Sequence, residues 1–224
     1  MALTLFAGCS SGGKNAADSE LSGLGAGDVI FFGSYPQSAS EPEPIEWRVL
    51  EAKDDRVLVI SEKILDCRPY NGKEQKETVY ADCSLRKWLN GGFMNKAFSS
   101  GEKERILKVT NANTAPPEEG DTGALFAEGG EDTEDSVFCL SYDEVVRYFP
   151  DEGGTLAEPT DFAVSKGVFT LDTGVRYGQW WLRTQGYDNK WAMYAKPIGI
   201  IDTDGSGVWN DDIGVRPAMW IRCG

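Results

Sequence analysis

The chain contains no histidine among its 224 residues. Histidine is the side chain that titrates near neutrality without help, and it is both the usual general base and the commonest metal ligand. Its absence excludes most hydrolase triads. The five cysteines form no Cys-x-x-Cys pair, and no histidine is present to complete a zinc tetrad. We therefore expect no structural zinc and no cofactor.

Basic residues are scarce as well. The sequence has 22 Lys and Arg against 36 Asp and Glu, which gives a formal net charge of −14. Such a charge repels phosphate backbones, so nucleic acid is not an expected partner. No segment is apolar for long enough to span a bilayer. A chain of this length with 41% apolar residues can close one sizeable core and does not need a second large domain.

The segment around Cys9 is similar to the lipobox of bacterial lipoproteins. An apolar run ending in the small residues Ala7 and Gly8 precedes the cysteine, and serine and glycine follow it. Small residues admit the signal peptidase, and the thiol accepts the diacylglycerol. We expect residues 1–9 to be a truncated lipoprotein signal, residues 10–27 a flexible tether and residues 28–224 a single domain. The lipid on Cys9 would hold the protein on the extracellular face of a bacterial membrane.

The first part of the domain is predicted to be rich in β-structure. The apolar run at residues 29–32 is closed by the turn residues Gly33 to Gln37, which is a strand signal. Residues 45–50 and 57–60 are two further strands, and the polar turn at residues 53–55 joins them. They are expected to form an antiparallel hairpin.

Short helices are predicted in the middle of the chain. Ser84 is expected to cap a helix whose apolar residues share one face, and Gly91-Gly92 is expected to end it. Ser100 is expected to begin a second short helix. Ser141, with Glu144 three residues later, predicts a capping box that opens a helix over residues 142–149.

An acidic loop is predicted between Asn113 and Asp135. Its cluster at residues 131–135 offers the carboxylate oxygens that calcium prefers, although a solvated loop that caps backbone amides is the favoured interpretation. Cys67 and Cys83 flank a polar stretch. A disulfide between them and two buried free thiols are both compatible with the sequence.

Tryptophan is concentrated near the C-terminus, where five of the seven lie from Trp180 onward. Short strand-like runs there are separated by turn residues, with Asp204-Gly205 as a tight-turn dipeptide, and they predict a small meander. Asp202, Asp204 and Ser206 imitate the start of a calcium loop. Ile213 stands where the bidentate glutamate belongs, so we interpret this segment as a hairpin.

Several strings along the chain resemble those of an uncharacterised bacterial domain family. They are residues 32–37 (FGSYPQ), 44–50 (PIEWRVL), 65–71 (LDCRPYN), 83–90 (CSLRKWLN), 180–183 (WWLR) and 214–218 (GVRPA). The C-terminal pattern is also similar to C-type-lectin-like domains of the formylglycine-generating-enzyme type, which include surface proteins diversified by retroelements. The resemblance implies an α+β, C-type-lectin-like fold with short antiparallel strands, a few short helices and long loops. The copper-binding cysteine pair of that enzyme has no match here, so its activity is not implied.

The resemblance divides the C-terminal residues into frame and display. The frame residues are expected in the core, and they are Trp180, Trp181, Leu182, Arg183, Val215, Arg216, Pro217, Ala218 and Trp220. The display residues stand where the family changes, and they are expected to form one exposed face that binds ligand. They are Tyr187, Asp188, Asn189, Lys190, Trp191, Lys196, Ile198, Ile200, Trp209, Asn210, Asp211 and Asp212.

The resulting function is that of a cell-surface lipoprotein module that binds a protein or glycan ligand through a C-terminal face and catalyses no reaction. Two alternatives stay open. One is a glycan-acting hydrolase that uses paired carboxylates, which need no histidine. The other is a structural envelope domain, in which Tyr187, Trp191 and Trp209 would be buried.

Overall fold

The computed structural model describes residues 21, 23–38, 41–72, 76–115, 129–151 and 153–223. Helix makes up 17% and strand 38% of the structure, which confirms a mixed fold of mainly antiparallel sheets with a few short helices. In the described part no helix is long and apolar enough to cross a membrane. Cys9 and its surroundings, and residues 116–128 of the acidic loop, lie outside the described residues.

The first sheet has five antiparallel strands. In spatial order they are β1 (Val29–Pro36), β2 (Pro42–Lys53), β3 (Arg56–Ser61), β14 (Ala218–Arg222) and β5 (Ile106–Leu107). The predicted hairpin is confirmed as β2 and β3, which are joined at Asp54 and Asp55. Residues of β2 alternate, since Ile45, Trp47 and Val49 are buried and the residues between them are not. This period of two places one face of the sheet against the core.

The second sheet carries most of the C-terminal residues. In spatial order it contains β12 (Ile201–Gly207), β11 (Trp191–Ala195), β10 (Trp180–Gln185), β13 (Gly214–Val215) and β4 (Asp66–Cys67). Only the β10–β13 pair is parallel among these strands. Two small hairpins complete the described strands: β6 (Val109–Asn111) with β7 (Thr133–Asp135), and β8 (Thr170–Asp172) with β9 (Arg176–Gly178).

The C-terminal meander differs from the prediction in two places. Asp204-Gly205 is not a tight turn but lies inside β12, where the pairing with β11 shifts register between Ala192 and Tyr194. Gly205 has a φ of +87°, so the dipeptide forms a bulge within a strand. The end of the predicted meander also divides between the sheets, because β13 belongs to the second sheet and β14 to the first. The last strands therefore join the two sheets.

The described helices are all short. They are α1 (Ser84–Trp88), α2 (Met94–Ala97), α3 (Ser100–Arg105), α4 (Tyr142–Tyr148) and α5 (Asp161–Ser165). The capping box of Ser141 and Glu144 is confirmed. The predicted start of α3 at Ser100 is confirmed, with Ser99 as its cap, whereas the cap of α1 is Cys83 and not Ser84. Gly91-Gly92 does not end the helix either. A π-helical turn, Leu89–Phe93, continues through the pair into α2.

The cysteines follow the thiol alternative rather than the disulfide. Cys67, Cys83 and Cys139 are buried and free, and Cys223 is free and half-buried. Each of the first two thiols makes a hydrogen bond instead: Cys67 Sγ donates to Asp211 O at 3.2 Å, and Cys83 Sγ accepts from Arg86 N at 3.3 Å. Burial raises the pKa of both thiols to about 12. They act as small core groups and not as reactive thiolates.

The end of the acidic loop forms a strand, and Glu131, Asp132 and Glu134 of the predicted acidic cluster are exposed to solvent. Residues 133–135 form β7, and Asp135 is buried. Its carboxylate accepts from Arg86 Nε at 2.6 Å and from Thr133 Oγ1 at 2.7 Å, which satisfies it with protein donors. In the described ranges no group of three or more His, Cys, Asp or Glu side chains is placed to hold a metal ion.

Candidate ligand-binding surface

The frame residues of β10 lie in the core, as predicted. Trp180 and Trp181 have no exposed surface, and Leu182 is buried beside them. Each indole N–H donates to a main-chain carbonyl at 2.9 Å, from Trp180 to Thr155 and from Trp181 to Arg68. A buried tryptophan keeps its apolar contacts and loses no hydrogen bond when its N–H has such a partner. β10 therefore gives the loops around it a rigid base.

Trp220 is an exception to the frame prediction. It is half-buried, and the guanidinium of Arg56 lies over its ring at 4.7 Å from the centroid. Its neighbours Met219 and Ile221 are buried. Alternate residues of a strand face opposite sides of the sheet, so Trp220 lies on the face away from Met219 and Ile221, where the arginine side chain covers its ring.

Arg183 is a buried ion-pair partner, which confirms its predicted structural role. Its side chain donates to both carboxylate oxygens of Glu144, at 2.5 and 2.9 Å, and to the carbonyls of Cys139 and Ala112 at 3.0 and 3.1 Å. Burial by itself lowers the pKa of Arg183, but the hydrogen bonds to Glu144 and the charge of that carboxylate, with smaller effects of Tyr80 and Cys139, together raise it. The pair ties α4 to β10.

Arg216 is just as buried, at 3% exposed like Arg183, but its surroundings differ. Nε donates to Ser61 O at 2.8 Å, and Nη1 is buried without a hydrogen-bond partner. The guanidinium lies near the rings of Phe149 and Trp180, at 5.5 and 5.2 Å from their centroids. Burial lowers the pKa of Arg216 to about 10, so the group is still cationic at neutral pH.

Aromatic display residues lie at one end of the second sheet, and we define Tyr187 of the β10–β11 loop, Trp191 at the start of β11 and Trp209 after β12 as the aromatic patch. Tyr187 is 47% and Trp191 37% exposed, and Trp209 is half-buried. The two indole rings meet at 6.3 Å between centroids with an interplanar angle of 58°. The patch therefore combines a supported ring, Trp209, with two accessible ones.

The backbone under the aromatic patch is held in place. Val208 N donates to Lys190 O at 2.9 Å, which joins the segment after β12 to the β10–β11 loop. Thr78 N donates to Asn189 O at 2.8 Å, and Gln185 Nε2 donates to Asn189 Oδ1 at 3.0 Å. These bonds order the loop before any ligand is present.

Polar display residues surround the same patch. Asp188 Oδ1 accepts from Lys190 N at 2.7 Å, and Asn210 Nδ2 donates to Ser206 Oγ at 2.6 Å. Lys190 forms an ion pair with Glu77 at 3.3 Å, and both side chains are about half exposed or more. The side chains of Asp188, Lys190 and Asn210 can form further hydrogen bonds, so they could provide the polar rim of a binding surface around the rings.

The remaining display residues do not join this patch. Lys196, Ile198 and Ile200 belong to the β11–β12 connection, at the opposite end of β11. Five strand residues span about 15 Å, so the predicted single face is two separate groups. Consecutive turns of an antiparallel meander necessarily lie at opposite ends of its strands. Lys196 is also committed to an ion pair with Asp202 at 2.6 Å.

Asp211 and Asp212 are exposed and lead into β13. Their main-chain carbonyls accept hydrogen bonds, Asp211 O from the Cys67 thiol and Asp212 O from Phe169 N at 2.7 Å. The main-chain carbonyls of both residues therefore take part in the hydrogen bonding of the domain, although the residues themselves are exposed. Whether any of the twelve display residues binds ligand stays a prediction.

Two clefts were not predicted from the sequence. One of about 530 Å³ has Arg183, Glu144, Asp143 and Trp220 in its wall. The other, of about 320 Å³, has Arg216, Arg48 and Glu62 in its wall. Each gathers residues from distant parts of the chain, so no local pattern marks it. The one available signal was the arginine in each of the frame strings WWLR and GVRPA.

A model of a domain family, described as a domain of unknown function (DUF6273), matches residues 54–223 of the chain. The match includes the second sheet, the aromatic patch and both buried arginines. Comparison with curated proteins and comparison with solved structures gave no match.

Proposed function

This chain belongs to the DUF6273 family, and we propose that it is a ligand-binding module without catalytic activity whose recognition surface is the aromatic patch. The observation that carries the proposal is the ring contact of Trp191 with Trp209, at the end of the sheet whose β10–β11 loop also exposes Tyr187. Large rings held on an ordered loop offer contact area at a low cost in conformational entropy.

A glycan is the ligand class that fits this patch best. The faces of aromatic rings carry partial negative charge and attract the C–H groups of a sugar ring. Asp188, Asn189 and Asn210 stand around the rings and offer hydrogen-bonding groups to sugar hydroxyls. A protein ligand is the alternative outcome of the experiment below.

The setting we propose is the extracellular face of a bacterial membrane, with a lipid on Cys9 as the anchor and a C-type-lectin-like arrangement of the domain. The mixed sheets, short helices and long connections support that arrangement. Retroelement diversification would act on the codons of the aromatic patch. An imperfect downstream repeat of the region that encodes residues 180–220, with substitutions confined to adenines, would support it.

The two alternative functions receive less support. The carboxylates in the wall of the larger cleft are Asp143 and Glu144, adjacent residues of one helical turn, and Glu144 is bound to Arg183 and to Ser141 N. That use favours a structural role for Glu144 over acid–base catalysis. A purely structural domain would bury the aromatic patch, whereas Tyr187 and Trp191 are exposed.

The test is binding to a panel of immobilised oligosaccharides, followed by calorimetry with the best of them. We expect Trp191→Ala to weaken binding by at least about 30-fold, the effect of about 2 kcal/mol at a hot spot. Ile198→Ala, a change of an even more exposed apolar residue beyond the other end of β11, is the control and should leave binding unchanged. Equal losses for the two variants, or no oligosaccharide bound, would contradict the proposal.

A further inference from the structure

The smaller cleft contains a buried positive charge that lacks a carboxylate partner of its own. We define the Arg216 cleft by the residues in its wall that matter here: Ala26, Arg48, Glu62, Phe149, Leu156 and Arg216. An unpaired buried charge is costly, and a buried donor without an acceptor adds to the cost. Arg216 has both features, since Nη1 has no hydrogen-bond partner and no ion pair is found for this residue within the described part of the chain.

Nearby carboxylates do not serve Arg216 directly. Glu62 is held by Arg48, whose Nε donates to it at 2.8 Å and whose Nη2 makes a second, shorter contact. Glu51 accepts from Tyr148 Oη at 2.5 Å and from Arg147 at 3.1 Å. Asp151 is exposed at the rim, where water screens its charge. Glu62 acts on Arg216 only through its charge, and no described carboxylate forms an ion pair or hydrogen bond with the guanidinium, which is left for a ligand.

The walls indicate what kind of anion would fit. Phe149, Pro150 and Leu156 supply apolar surface, while Arg48 and Glu62 neutralise each other. Because Asp151 at the rim carries a negative charge, a dianion would meet more repulsion than a monoanion. A planar carboxylate matches the edge of a guanidinium and forms charge-assisted hydrogen bonds with it.

We propose that the Arg216 cleft binds the carboxylate group of a small organic acid with an apolar body. The carboxylate accepts from the Arg216 guanidinium, and the apolar part packs against Phe149 and Leu156. This site lies apart from the aromatic patch, so the proposal does not depend on the proposed function.

Thermal shift and calorimetry with simple probes test this inference. We expect benzoate to raise the melting temperature in a saturable way, since a ligand that binds only the folded state stabilises it. Acetate should bind more weakly because it lacks the apolar body, and benzamide at least about tenfold more weakly because it lacks the charge. Equal binding of benzamide and benzoate, or tighter binding of phosphate or sulfate at matched ionic strength, would overturn the proposal.

Two variants of a residue other than Arg216 locate the binding site, so that the test does not require an Arg216 variant to fold. Arg216→Gln should abolish benzoate binding, but the decisive pair changes the exposed residue Ala26. Ala26→Trp places a ring in the cleft and should weaken benzoate binding at least tenfold with no change in melting temperature without ligand, whereas Ala26→Ser should bind as the parent does. Benzoate binding that survives Ala26→Trp would show that the probe binds elsewhere and that Arg216 is satisfied by water.

Discussion

The neighbouring strands β10 and β11 use tryptophan in opposite ways. Trp181 on β10 has no exposed surface, donates its indole N–H to Arg68 O and meets the ring of Tyr70 edge-on at 5.6 Å. Trp191, ten residues later at the start of β11, keeps 37% of its surface exposed, and its ring meets that of Trp209. Both are apolar and both lie in one sheet. Position in the sheet, and not residue type, decides which tryptophan stabilises the domain and which is available to a ligand.

The largest effect is expected at the buried end of this comparison. Trp181→Ala leaves a cavity in the second sheet and should lower the free energy of unfolding by about 3–5 kcal/mol. Urea denaturation measures the loss, and Trp181→Phe, which keeps a ring, should cost less. A loss below about 1 kcal/mol for the alanine variant would mean that β10 is not the rigid base of the loops.

A somewhat smaller effect is expected for the ion pair that anchors β10 to α4. Glu144→Gln leaves Arg183 buried without its counter-charge and should cost about 3 kcal/mol, at the lower end for buried pairs because Glu144 is partly exposed. The matched control is Glu77→Gln, which breaks the exposed pair with Lys190 near the aromatic patch and should change stability by less than about 0.5 kcal/mol. Similar losses in urea denaturation would contradict the division into frame and display.

The bulge in β12 extends the comparison from the buried strand β10 to the edge strand of the same sheet. Gly205→Ala puts a Cβ 2.6 Å from Ala192 O at a residue with φ of +87°, and we expect a loss of about 1–3 kcal/mol. Gly174 has a φ of +100° with no atom within 4 Å of the added Cβ. Gly174→Ala therefore reports the backbone strain alone and should cost less in the same thermal melts. Equal melting temperatures for the two variants would mean that the close contact with Ala192 O adds no destabilisation to that of the backbone strain.

The smallest effect is expected at the exposed end. Trp191→Ala removes a side chain that is only partly covered, so it should cost under about 1 kcal/mol of stability. A thermal melt measured beside that of Trp181→Ala checks this difference directly. If Trp191→Ala melted as low as Trp181→Ala, the aromatic patch would be part of the core and the structural interpretation of the domain would be favoured.

Local sequence rules predicted the elements that depend on neighbouring residues. The β2–β3 hairpin and the capping box of Ser141 and Glu144 were both found where the alternation and the cap residues placed them. The same rules failed at the two glycine signals. Gly92 continues a π-helical turn because its missing side chain leaves room for Trp88, whose ring an added Cβ would approach to 2.9 Å. Gly205 bends a strand and does not end one.

Sequence alone determined the domain family, the mixed fold class and most of the division between buried and exposed residues, because these follow from composition, motif strings and short-range periodicity. Tertiary structure alone decided the rest. It separated Ile198 and Ile200 from the aromatic patch, since successive turns of a meander lie at opposite ends of its strands. It also distinguished two arginines of equal burial, because Glu144 of α4 reaches Arg183 while the carboxylate near Arg216 is taken by Arg48. Partners that come from distant segments are chosen only when the chain folds.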